Sequence, residues 1–551
     1  MPKMTGSEAI VRSLIEHGVD TVFGLPGAQT YGFFDALYKY RDKIRMITSR
    51  HEQGSAYMAF GYAQSTGRPG VFCVVPGPGI LNASAALNTA WGTNTPVLGV
   101  VGQIPSDFIG KGRGQLHEMP DQLKTLRSIV KWSERIGDGR EASDIVNTAF
   151  DKIVSGRPGP ATVEMAMDVM MREIDAPISK AGKARRRPKP KAADIDAAAK
   201  LILKAKRPMI MVGGGAQHAS AEVLRLAELL DAPVTAFRRG RGIIPDDHDL
   251  GMNSAAAYEL WNDTDLLIGI GSRLELQYMR WAKSAAYVQA PKAPPHIIRI
   301  DIDPKEMTRL KPHVGIVADS IDGATALADA IESRAKRIPN ARKRIADAKA
   351  SARAQYEAQV QPEVAYLDVI RDVMPRDSFF VEELSQMGFT SYYAYPVYQP
   401  RTYVTTGFPG TLGFGFQTAL GVKAANPDRA VVSVTGDGGF MFGVQEMATA
   451  VQENLAVVTL VFNNGGFGNV RRDQSTQFKG RVIGSELHTP DFTALAKSFG
   501  MAAKRVTSPE ELGPALQRAL KTDKPALIEI SLERGSEATP WPFIMPAGFG
   551  R

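Results

Sequence analysis

Along almost its whole length the chain alternates short apolar, strand-like runs with helix-like runs, and this restricts it to α/β architectures built on parallel sheets. In the first third "TVFGLPG", "RMITSR", "GVFCVVPGPG" and "VLGVVGQIP" read as buried strands. "PMIMVGGGAQ", "DAPVTAF", "DLLIGIGSRL" and "HIIRIDIDP" do so in the middle third. The last third offers "SFFVEEL", "YVTTGFPG", "AVVSVTGDGG", "AVVTLVFNNGG" and "ALIEISL". Runs with no polar alternation suit sheets covered by helices on both faces.

Two seams divide the series. A basic, proline-broken linker spans 179–192, and a charged helical linker spans 336–362. They leave three regions of ordinary domain size, 1–178, 193–335 and 363–551, the last ending in an apolar tail. The expected fold is three doubly wound parallel-sheet domains. No sequence repeat relates the first region to the last, although the two could share a topology.

Net charge is +8, with much of the excess in "KAGKARRRPKPK". That tract is short and lacks the interleaved aromatics that stack on single-stranded bases, so it reads as a solvated linker and no nucleic-acid partner is expected. Cys73 is the single cysteine, which excludes a disulfide framework and a cysteine-based zinc site and fits a cytoplasmic setting. No run reaches the roughly twenty apolar residues of a membrane span. The first residues, "MPKMTGSEAIVRSLIEHG", read as an amphipathic helix entered through Thr5 or Ser7 rather than as a signal peptide.

The chemistry concentrates in "VTGDGGFMFGVQEMATAVQENLAVVTLVFNNGGFG". Asp437 ends one strand-like run, and Asn463 and Asn464 end the next. In parallel sheets ligands sit beyond the carboxyl ends of the strands, so neighbouring strands would bring Asp437 and Asn464 together. Carboxylate, amide carbonyl and backbone carbonyl oxygens suit Mg²⁺ or Ca²⁺, and Mg²⁺ commonly shares its shell with phosphates. Gly436, Gly438 and Gly439 would let backbone N–H groups approach a phosphate, with a helix starting near Phe440 aimed at it. Taken singly, each glycine-rich element is only a turn. Their combination, Gly-Asp-Gly, 24 residues, then Asn-Asn, is specific.

This spacing resembles the diphosphate-binding signature of the thiamine diphosphate enzymes. The resemblance implies that Asp437, Asn464 and the Gly466 carbonyl hold Mg²⁺, with Phe467 and Gly468 also in the cofactor site. Glu52, in "SRHEQGSAYMAFGYAQ", resembles the family's activating glutamate on the aminopyrimidine, where it would relay a proton. The same carboxylate would also favour a helix N-terminus. Pro26 and Gly27 in "GLPG", and Pro78 and Asn82 in "PGPGILN", match cofactor-binding positions. Ser385 and Gln386 match a second diphosphate loop. In "GFPGTLGFG" the Gly410 carbonyl would accept the 4′-amino group, and Leu412 would bend the cofactor unless it is plain core.

The resemblance extends over nearly the whole chain and is to the acetolactate synthase-like branch, through "GGGAQ", "GIGSRLE" and "RIDIDPKEM". It implies the thiamine diphosphate-binding fold and a homodimer or homotetramer with active sites at subunit interfaces. It also implies decarboxylation of a 2-oxo acid to an enamine and its transfer to a carbonyl acceptor. Several positions depart from that branch. Gln277 replaces an arginine that grips the acceptor carboxylate. Asn469 and Asp473 replace a methionine and a tryptophan, and an inward Asp473 would oppose an anionic acceptor. His117, in "GQLHEMPDQ", stands where superfamily decarboxylases often carry a proton-donating histidine; it reads equally as a loop histidine. Met252, Asn253 and Ser254 replace a flavin-contacting Met-His-Gly, so the central domain would hold FAD, ADP or no nucleotide.

Two other functions follow from these departures: a 2-oxo-acid decarboxylase releasing an aldehyde, or a non-catalytic thiamine diphosphate-binding homologue. The latter predicts loss of Glu52, Asp437 or Asn464, and all three are present. The tail "EATPWPFIMPAGFGR" reads either as a lid that excludes water or as a segment packed on a subunit surface.

Overall fold

The computed structural model describes residues 3–175, 177–182, 187–282 and 294–548. Part of the basic linker, 183–186, and Phe549 of the tail lie outside the described residues. Three six-stranded sheets organise the described residues, and every strand pair within them is parallel.

The first sheet runs Arg45–Thr48, Thr21–Gly24, Gly70–Val74, Val97–Gln103, Ala161–Ala166, Trp132–Ile136. The third runs Tyr403–Val404, Phe379–Glu382, Val431–Gly436, Val457–Asn463, Ala526–Ser531, Ala502–Val506. Counted in order of appearance, both follow 2-1-3-4-6-5. The first and last regions therefore share one topology without a sequence repeat. The central sheet differs. It runs Gly251–Met252, Val234–Ala236, Pro208–Val212, Leu266–Ile270, His296–Asp301, Val314–Val317, the 3-2-1-4-5-6 order of dinucleotide-binding folds.

The apolar runs named above all contain strands. Trp132–Ile136 and Ala502–Val506 are further strands that the apolar runs do not reveal. Both are edge strands that mix polar with apolar residues, and that composition conceals them. Ala161–Ala166 is fully buried yet carries Glu164, paired with Arg135 at 2.5 Å. The helix expected near Phe440 instead starts at Asp437 and ends at Phe440, a single turn closed by Met441 N–H donating to the Asp437 carbonyl.

A close helix pair is one of the contacts that join the first and third domains. Helix Glu52–Thr66 lies against helix Gly415–Ala425. A Cβ on Gly61 would fall 2.1 Å from the Thr418 carbonyl oxygen, and one on Gly421 would fall 1.9 Å from that of Met58. Only glycine permits this approach, which explains the small residues in both helices. Ala56, Met58 and Phe60 consequently share a core with Phe414, Ala419 and Phe440. His51 Nδ1 accepts from Gln53 N–H at the start of the first helix, and Gly67, in the left-handed region, ends it. Among the described residues no helix is long and apolar enough to cross a membrane.

Candidate active site

Strands Val431–Gly436 and Val457–Asn463 are hydrogen-bonded neighbours, with Gly436 opposite Phe462. Asp437 and Asn464 therefore emerge side by side at one sheet edge. Asp437 is almost wholly buried, and its Oδ2 accepts from Gly466 N–H at 3.0 Å. Burial pushes its carboxyl up to about 6, against backbone hydrogen bonds from Gly438 and Gly466 that favour the charged form. A buried carboxylate at a strand end, beside an asparagine amide and a backbone carbonyl, is a donor set that suits a divalent cation.

The edge opens on a cavity of about 340 Å³. Ser385, Gln386, Leu412, Gly436, Asp437, Gly438, Gly439, Asn464, Gly466, Phe467 and Gly468 all line it. The space depends on missing side chains: a Cβ on Gly438 would meet the Phe467 ring at 2.5 Å, and one on Gly439 the Glu383 carboxyl at 2.6 Å. Ser385 caps helix Gln386–Ala394 by accepting from Gly388 N–H at 3.1 Å, and that helix starts at the cavity wall. Gln386 Nε2 donates to the Ala538 carbonyl, while its buried Oε1 has no partner among the described residues. Gly410, at φ +61°, stands beside Leu384, which also lines the cavity. Oxygen donors, glycine-made space and helix ends together fit a metal-bound diphosphate.

Pro26, Gly27, Glu52, Pro78, Asn82 and His117 do not line this cavity. They gather at the edge of the first sheet. Asn82 Nδ2 donates to Glu52 Oε2 at 3.0 Å, and a Cβ on Gly79 would lie 3.6 Å from Glu52 Oε1. Gly27 is pressed on Val75, just before the proline loop, where a Cβ would meet Val75 Cγ1 at 2.4 Å; Pro26 beside it is exposed. His117 has a left-handed backbone, φ +67°, with its carbonyl against Gly77. Gln29 Nε2 donates to the Leu116 carbonyl at 2.8 Å, so its Oε1 is left to accept from His117 Nδ1 at 2.9 Å. That pair keeps the proton on Nδ1 and frees Nε2. Leu81, Trp91, Phe408, Met441 and Phe442 are exposed apolar side chains around the two half-sites.

Acidic residues with no motif of their own support both clusters. Glu446 accepts from the backbone N–H groups of Arg50 and His51, at 3.0 Å each, and from the Thr449 hydroxyl. It thus ties the third domain to the start of the helix carrying Glu52, and burial pushes its carboxyl up to about 7. Glu383, also raised by burial, accepts from Thr435 Oγ1 and from the Gly413 and Gly415 N–H groups, fixing the turn after Leu412. Each acts on residues far away in the chain, so no local spacing could reveal it.

The departures resolve individually. Asp473 is ion-paired with Arg472 at 3.3 Å and does not line the cavity, so it presents no inward charge; Asn469 does line it. Gln277 is fully buried, and neither end of its amide has a hydrogen-bond partner among the described residues. Asn253 caps helix Ser254–Glu259 by accepting from Ala256 N–H at 2.9 Å. At the switch point of the central sheet, Gly213–Gly215 and Gly271–Arg273 border a crevice with Arg239. Burial, with Arg401 and Arg273 nearby, pushes Arg239 down to about 9.

Three α/β domains with a glycine-walled cavity at one sheet edge are the architecture of a cofactor-dependent enzyme. Family models covering most of the chain agree: the N-terminal TPP binding domain of thiamine pyrophosphate enzymes matches residues 4–125, the central domain 195–327, and the C-terminal TPP binding domain 384–530. The chain belongs to the thiamine pyrophosphate enzyme family, in its acetolactate synthase-like branch. It is 33% identical to a probable acetolactate synthase large subunit of Methanocaldococcus jannaschii, over 99% of this chain and 94% of that one. It is 32% identical to the acetolactate synthase large subunit of Corynebacterium glutamicum, over 98% of this chain and 88% of that one. A probable 2-ketoarginine decarboxylase of Pseudomonas aeruginosa is 31% identical, over 96% of this chain and 94% of that one.

Proposed function

We infer that the protein is a thiamine diphosphate- and Mg²⁺-dependent enzyme that decarboxylates a 2-oxo acid and joins the remaining unit to a carbonyl acceptor. The observation that carries this reading is the glycine-walled cavity holding Asp437, Asn464 and Gly466 at adjacent strand ends. Asp437, Asn464 and the Gly466 carbonyl would hold Mg²⁺. Ser385, Gln386, Gly436, Gly438, Gly439, Phe467 and Gly468 would surround the diphosphate. Thiamine diphosphate supplies a nucleophilic carbon and an electron sink for loss of CO₂. Glu52 would hold and return a proton at the pyrimidine, and its hydrogen bond from Asn82 fixes the carboxylate. Leu412 lends the cavity an apolar wall, and the Gly410 carbonyl would accept from the cofactor's 4′-amino group.

Glu52 and its neighbours form half a site at one edge, and the cavity forms the other half. The exposed Leu81, Trp91, Phe408, Met441 and Phe442 beside them support a homodimer or homotetramer in which one subunit's Glu52 meets its partner's cavity. The central crevice supports a phosphate-bearing nucleotide, FAD or ADP, because its sheet order and its arginines suit a diphosphate.

A second reading, aldehyde release, is favoured by His117. With the Nδ1 proton held by Gln29 Oε1, the free Nε2 could take up a proton from water and pass it on to the substrate-derived carbanion. Product analysis with pyruvate separates the two. Acetolactate is the expected product, acetaldehyde alone would support the decarboxylase, and no turnover of any 2-oxo acid would sink both.

The metal reading has a pH signature. Asp437 titrates near 6 in the fold and near its ordinary, lower value when unfolded. Its contribution to stability is therefore full at low pH and is lost as pH rises through about 6. A bound cation offsets that loss. Adding MgCl₂ and thiamine diphosphate is expected to raise Tm more at about pH 7.5 than at about pH 5, as read by differential scanning fluorimetry. Equal shifts would contradict the assignment of Asp437.

A further inference from the structure

The segment after the last strand, Ala526–Ser531, returns to the cavity and touches both diphosphate loops. At its inner point Glu537, its side chain 4% exposed, accepts from Asn464 Nδ2 at 2.5 Å. Arg471 Nη2 approaches the other carboxylate oxygen at 3.4 Å. Gly468 closes the third side: a Cβ there would lie 2.5 Å from Asn464 Nδ2 and 2.7 Å from Glu537 Oε1. The next residue anchors the segment, with Ala538 N–H donating to Glu363 and the Ala538 carbonyl accepting from Gln386 Nε2.

We propose that Glu537 is the positioning residue that turns the Asn464 amide so that its carbonyl oxygen faces the metal. This rests on the Mg²⁺–diphosphate reading above. An asparagine amide has a donor end and an acceptor end of nearly equal shape, and its neighbours decide which points where. An ionised carboxylate only accepts, so Glu537 selects the NH₂ end and leaves Oδ1 for a cation. The flipped amide would set oxygen against carboxylate and NH₂ against the metal, both unfavourable. Gly468 leaves no room to escape this choice. A residue on the C-terminal segment thereby sets the geometry of a ligand on a strand end, and nothing at Asn464 itself fixes that orientation.

The test is Mn²⁺ binding by the full chain with thiamine diphosphate present, read as free Mn²⁺ by electron paramagnetic resonance. Glu537→Ala is expected to raise the Mn²⁺ Kd by about 10–100-fold, the usual cost of losing a partner behind a metal ligand. Asn464→Asp should bind poorly, because two carboxylates then face each other. The reversed pair, Asn464→Asp with Glu537→Gln, should regain most of the affinity, since glutamine can donate to one aspartate oxygen while the other meets the metal. A merely structural role for Glu537 would not produce that rescue. Unchanged affinity in Glu537→Ala, or a reversed pair no better than Asn464→Asp alone, overturns the proposal. Asp437→Ala separates the levels. If it binds Mn²⁺ like the unaltered chain, the metal site itself is misassigned and this inference falls with it. If Asp437→Ala loses Mn²⁺ and Glu537→Ala does not, only the role of Glu537 fails.

Discussion

Replacing Glu52 by glutamine is expected to slow exchange of the cofactor's C2 proton by about 10²–10⁴-fold, the usual contribution of a positioned acid–base group. The substitution is mild in shape. A glutamine oxygen can still accept from Asn82 Nδ2, and the helix Glu52–Thr66 keeps its His51 and Gly67 caps and its contact with Gly415–Ala425. What is lost is a group that can hold a proton and give it back. Quenched-flow hydrogen–deuterium exchange read by NMR measures the effect directly. Cofactor affinity should change little, because the diphosphate is proposed to bind in the Asp437 cavity, which Glu52 does not line. A normal exchange rate would remove Glu52 from its role.

The second large effect belongs to Asp437. Alanine there is expected to weaken Mg²⁺-dependent retention of thiamine diphosphate on the order of 100-fold or more, since charge count sets the affinity of an oxygen-lined site. Two losses combine. The only carboxylate among the three proposed ligands disappears, and Gly466 N–H loses the acceptor that holds its loop. Equilibrium dialysis with and without Mg²⁺ is the readout. If alanine at 437 retained the cofactor normally, the metal would have to lie elsewhere.

The sequence made half of this site legible, and for a physical reason. Strand ends in a parallel sheet carry their ligands on adjacent turns, so Asp437 and Asn464 announce themselves by turn chemistry and spacing alone. The lining glycines follow from the same turns, because close approach excludes a Cβ. The supporting residues were not legible. Glu446 reaches Arg50 and His51, Glu383 reaches Gly413, and Glu537 reaches Asn464, each across a contact that exists only once the domains are folded. Direction was equally hidden: the sequence leaves open whether Asp473 points inward, and its pairing with Arg472 appears only in the fold. Edge strands such as Ala502–Val506 escape because exposure lets polar residues in. Family membership reads from the motif; the identity of the acceptor does not, since Gln277 and Asn469 depart from the branch where acceptor contacts would lie.

The central claim is that two half-sites, one around Glu52 and one around Asp437, complete each other between subunits. Co-expressing the Glu52→Gln chain with the Asp437→Ala chain tests it most directly. In a mixed dimer one site would carry both substitutions and the other neither. Neither variant alone should turn over substrate, and the mixture should recover about a quarter of the activity of the unaltered enzyme, for random pairing in a two-fold dimer. If the mixture stays as inactive as its components, Glu52 and Asp437 serve the same site within one chain and the account is wrong.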